Sequence, residues 1–181
     1  MKKHVPGGST AHIDTFAADN LPPHDEWPEF DFDSLSVLSA YPNRINAGVE
    51  LLDRMCTTGH ANSRVLHYEN VTWTYAELLD ISNRIACVLV EEYGLVPGNR
   101  VLFRSSNNPM LVACWFAVLK AGGICVTTMQ LLRSRELVYI INKAQIEYAL
   151  CDVTLAHEME EAQQLSPTLT TALYFLSLIH I

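Results

Sequence analysis

The sequence predicts an α/β protein: a largely parallel β-sheet flanked by helices, preceded by a small β-hairpin. Short runs rich in β-branched and aromatic residues recur about every two dozen residues from Arg100 onward, and a helical pattern fills each interval. Parallel neighbours need a crossover of that length, so a parallel sheet with helices on its faces is the economical arrangement. Of the 181 residues, 49% are apolar and 18% charged, enough to bury a sizeable core.

Each element has its own signal. The first forty residues carry Pro22-Pro23, Pro28 and nearby Pro42, and interleave Phe16, Trp27, Phe30 and Phe32 with Asp25, Glu26, Glu29, Asp31 and Asp33. They predict an extended arm over residues 1–43 that buries its rings on a larger body. Ile45, Val49, Leu51 and Leu52 fit an amphipathic helix over residues 44–55, with Gly59 just beyond it. Strand-like runs 65–68 and 71–73 flank Glu69-Asn70 and predict a hairpin. Thr74 and Glu77 form a capping box for a helix carrying Leu78, Ile81, Ile85, Val88 and Leu89, which Gly94 and Pro97 close.

The regular part follows. Residues 100–103 form a strand after a Pro97-Gly98 turn. Asn108 caps and Pro109 opens a helix that Gly122-Gly123 ends; it is apolar almost all round, hence expected between layers. Then come a strand at 124–127, a helix at 134–143, a strand at 147–151, a helix at about 154–164 and a strand at 172–175. The body thus spans 44–175.

Composition narrows the partners. The net charge is −8 and no basic run exceeds Lys2-Lys3, which argues against a nucleic-acid surface. The N-terminus lacks a secretory apolar stretch, and the longest apolar run, Met110 to Leu119, is too short for a bilayer. Cys56, Cys87, Cys114, Cys125 and Cys151 show no metal-ligand spacing. They predict buried reduced thiols in a cytoplasmic protein.

The chain contains no G-x-G-x-x-G after its first sheet strand, no Walker phosphate loop and no G-x-S-x-G. Four features carry both a chemical and a plain reading. Asn107-Asn108-Pro109 could bind an anion at a helix start, with capping favoured. Arg133 and Arg135 could face a phosphate at the carboxyl end of a strand, with solvated arginines favoured. His157-Glu158, beside Glu160 and Glu161, is expected on a wet helix face rather than at a metal. Trp73, Trp115 and Tyr148 are expected in the core.

Trp73-Thr74-Tyr75-Ala76-Glu77-Leu78 resembles the first core motif of adenylate-forming enzymes, and Leu119-Lys120-Ala121-Gly122-Gly123-Ile124 resembles their second. Pro97-Gly98-Asn99-Arg100-Val101 lies between them, similar to the family's Pro-Gly-Asp-Arg-Val stretch. His12-Ile13-Asp14-Thr15-Phe16, Asn20-Leu21-Pro22-Pro23, Trp27-Pro28, Asn107-Asn108-Pro109-Met110 and Thr128 to Arg133 resemble the benzoate-type branch, nearest to its aminobenzoate–CoA ligases. Gln130 departs from the proline expected there.

The resemblance implies the N-terminal part of the large domain of such an enzyme. It also implies ATP, Mg²⁺ and CoA as cofactors and a small aromatic carboxylate as partner. Acid and ATP would give an acyl-adenylate, from which the CoA thiol displaces AMP. In the family the phosphate loop, acyl pocket and catalytic lysine lie further along than this sequence reaches. No catalytic or metal residue is therefore assigned, the cofactor-binding residues are left open, and this stretch alone is expected to be inactive and to bind none of the cofactors well. Residues 176–181 lack family resemblance and are expected to be a non-native tail. A medium-chain or other acyl-CoA synthetase, or a non-catalytic binding or oligomerisation remnant, is the alternative.

Overall fold

The computed structural model describes residues 10–29, 31, 34–39, 41–42 and 44–176. Among these residues two sheets form: an antiparallel pair, β1 (Arg64–Tyr68) with β2 (Val71–Thr74), and four parallel strands. The parallel strands are β3 (Arg100–Arg104), β4 (Ile124–Thr128), β5 (Tyr148–Asp152) and β6 (Thr171–Phe175), in the order β4-β3-β5-β6. The expected α/β architecture, hairpin included, is therefore what the chain adopts.

Alternation along β3 sends its side chains to two cores. Leu102 packs with Leu137, Ile141, Ala149 and Met159 on one face; Val101 and Phe103 pack with Cys114, Val118, Tyr148 and Leu150 on the other. Every residue of β3 and β5 is buried, whereas the edge strands β4 and β6 are half-buried. A third cluster, Leu52, Trp73, Leu78 and Ala113, fastens the hairpin to the body.

The arm departs from the expected extended form. It contains α1 (Phe16–Asp19), a 3₁₀ turn at His24–Glu26 and α2 (Ser36–Ser39). Local bonds explain the departure: the Phe16 amide donates to Asp14 Oδ1 (3.0 Å) and the Trp27 indole donates to Pro22 O (2.7 Å). Phe16 and Trp27 are half-buried; Phe30 and Phe32, like residues 177–181 of the expected tail, lie outside the described residues. Ile13 and Asp14 donate their amides to Pro97 O at 2.8 and 3.0 Å, which seats the arm at the turn before β3.

The helix expected at 44–55 begins at residue 47 and runs to His60, mostly as the π-helical stretches Val49–Asp53 and Cys56–His60. Gly59 sits inside its last turn at φ +92° rather than beyond it. Asn46 ties this segment to the body by donating to Leu119 O (2.9 Å) and Lys120 O (3.2 Å), and Lys120 pairs with Asp53.

The next helix, α3 (Tyr75–Cys87), opens with the predicted box. Glu77 N donates to Thr74 Oγ1 (3.3 Å) and Thr74 N to Glu77 Oε2 (2.8 Å). Thr74→Ala is expected to cost about 1 kcal/mol, read as a lower urea midpoint at unchanged slope. Beyond Cys87 the helix continues as a π-helical turn, Val88–Glu92, and Gly94 closes it at φ +71°.

The helix α4 (Pro109–Lys120) has no exposed residue, in keeping with its apolar circumference. The last two helices are α5 (Ser134–Lys143) and α6 (Ala156–Leu165); a 3₁₀ turn, Val153–Leu155, replaces the expected first turn of α6 because Asp152 caps it through Thr154 N (3.0 Å).

All five cysteines are free, but not all are buried: Cys114 and Cys151 are, Cys56 and Cys125 are half-buried, and Cys87 is exposed on α3. Burial pushes the Cys114, Cys125 and Cys151 thiols up to about 12. Since the thiolate is the nucleophile, iodoacetamide at pH 8 should modify Cys87 first. Mass spectrometry should find Cys114 and Cys151 unmodified until the chain unfolds.

Candidate functional site

The strand order creates one crevice. From β3 the chain crosses through α4 to β4 on one side, and from β5 through α6 to β6 on the other. The connections leave the carboxyl ends of β3 and β5 in opposite directions, which is where open α/β sheets take ligands. The turn at Ser105–Asn108 forms one wall, and Asp152 to Thr154 form the other.

A polar network joins the two walls. Asn108 caps α4 by accepting from Leu111 N (2.9 Å), and its amide donates to Ser105 Oγ (3.0 Å) and Asp152 Oδ2 (3.2 Å). The other oxygen of Asp152 accepts from Thr154 N (3.0 Å) and Thr154 Oγ1 (2.7 Å). Asp152 is 1% exposed and satisfied without a cation. A carboxylate of the protein thus already stands near the positive end of α4, so capping prevails over anion capture at Asn108. Asn107 is exposed beside it.

Arg133 and Arg135 do not converge on this crevice. Arg133 donates to Glu158 Oε1 (2.8 Å), while Glu158 Oε2 accepts from Ser134 N (2.7 Å). Those two bonds, with the Arg133 charge, hold the Glu158 carboxyl below the usual range, and the bond to Glu158 and its charge raise Arg133 above its own. Glu158 thereby caps α5 from α6. Arg135 is exposed on α5 near Tyr139 and Lys143. His157 is exposed, with Nε2 3.7 Å from Glu161 Oε1, and among the described residues no group of three His, Cys, Asp or Glu could hold a metal. Trp73 and Tyr148 are in the core; Trp115 is half-buried and meets Phe116 edge-on at 5.3 Å.

Two features were missed from the sequence. An apolar cavity of about 380 Å³ opens between α3 and the sheet, lined by Ile81, Ile85, Leu89, Met110, Leu173 and Phe175 among others. Two arginines of β3, Arg100 and Arg104, are buried at its two ends. The signal was available: charges at both ends of an otherwise apolar central strand, four residues apart, must share one face.

This architecture is that of a parallel α/β sheet with its ligand crevice at the carboxyl ends. The chain belongs to the AMP-binding enzyme family, whose profile matches residues 53–179. It is 27% identical over 113 residues to a 3-hydroxybenzoate–CoA/4-hydroxybenzoate–CoA ligase of Thauera aromatica, covering 62% of this chain and 21% of that protein. The crystal structure of the anthranilate CoA ligase AuaEII in complex with anthranoyl-AMP superposes with a TM-score of 0.70 at 21% identity, over 76% of this chain and 26% of that one. A benzoate CoA ligase from Burkholderia xenovorans LB400 gives 0.67 at 20% identity, over 75% and 27%. The chain spans about a fifth of the length of the first of these relatives. Among the described residues, no helix is long and apolar enough to cross a membrane.

Proposed function

We propose that this chain forms part of an aromatic carboxylate–CoA ligase working in the cytoplasm, with residues 1–43 as an arm and 44–175 as part of the AMP-binding domain. The observation that carries the reading is the joint occurrence of benzoate-type motifs with a fold like that of anthranilate and benzoate CoA ligases. The intact enzyme would use ATP and Mg²⁺ to join the acid to AMP as an aroyl-adenylate, releasing pyrophosphate, and would then transfer the aroyl group to CoA, releasing AMP.

Within this stretch the residues scaffold rather than react. The Thr74–Glu77 box orients α3, Gly122 at φ +80° turns α4 into β4, and the Asn108–Asp152 bond fixes the crevice walls relative to each other. No residue here is proposed as catalytic, and this stretch alone is proposed to be inactive.

The test reads the source DNA past the codon for Phe175 and assays both products. A frame continuing into a Ser/Thr/Gly-rich loop followed by lysine is expected. The longer product should exchange pyrophosphate into ATP only with 2-aminobenzoate or a related aryl acid, and the 181-residue chain should not. Exchange driven by medium-chain fatty acids alone would establish the other synthetase class. A stop codon at this point, with no exchange, would overturn the enzyme reading for this polypeptide.

A further inference from the structure

We draw no further inference here: the strongest candidate, the apolar cavity between α3 and the edge strand β6, lined by Ile85, Leu89, Leu173 and Phe175 among others, carries none because nothing among the described residues shows what covers it.

Discussion

Arg100→Met is expected to destabilise the chain by about 3–5 kcal/mol, because it removes a buried guanidinium that serves three backbone carbonyls and pairs with the half-buried Asp14. Arg100 donates from Nε to Ala144 O (2.9 Å), from Nη2 to Gln145 O (2.6 Å), and from Nη1 to Gly98 O (3.1 Å) and to Asp14 Oδ2. Its side chain is 7% exposed, and the Phe16 ring lies 4.7 Å from the guanidinium carbon. Methionine would fill the volume and leave the carbonyls after α5 without a donor. Urea unfolding checks the magnitude, and limited proteolysis should show early cleavage within residues 10–19. A loss below about 1 kcal/mol, typical of a surface pair, would show that Arg100 does not hold the arm.

The same pair gives the effect a pH dependence. Burial pushes the Asp14 carboxyl up, but bonds from Phe16 N, Arg100 and Asn99, with the Arg100 charge, together leave it below the usual range. A carboxylate with a depressed folded pKa stabilises the fold fully above its unfolded value, about 3.9. That contribution is lost as pH falls through the folded value. The difference between wild type and Arg100→Met should therefore be constant from neutrality to about pH 5 and narrow below about pH 4.

Gly98→Ala should be the second severe change, costing about 2–4 kcal/mol. Gly98 has φ +95°, and a Cβ there would stand 2.1 Å from Asp14 O and 2.9 Å from His12 Cβ. The arm must move, and the amide bonds of Ile13 and Asp14 to Pro97 O go with it. Gly59→Ala separates the causes: its φ is +92°, but a Cβ would meet nothing within 4 Å. That variant should lose only the left-handed penalty, about 1–2 kcal/mol. Equal losses at the two glycines would refute the collision.

What was legible in the sequence was local. The Thr74–Glu77 box and the Asn108-Pro109 start depend on residues three or fewer apart, and both form as their spacing dictates. The βα rhythm placed the sheet strands to within one residue. Strand order and arginine burial depend on contacts far apart in the chain. Asp14 and Arg100 are 86 positions apart. Arg133 and Arg135 follow a strand at a helix start, where the sequence pattern leaves a charge in plain view. Arg100 and Arg104 were hidden within a strand pattern. The π-helical stretches also escaped notice, because an inserted residue only blurs a helical period.

The separation between Asp14 and Arg100 also sets an order of assembly on the ribosome. The arm emerges before its anchors, Pro97, Asn99 and Arg100, which come more than eighty residues later. At about 5–20 residues per second, that interval lasts roughly 4–17 s. Phe16 spends it without the guanidinium it will stack on. The arm thus waits for β3 before it can be seated, and it docks on the same strand that later pairs with both β4 and β5.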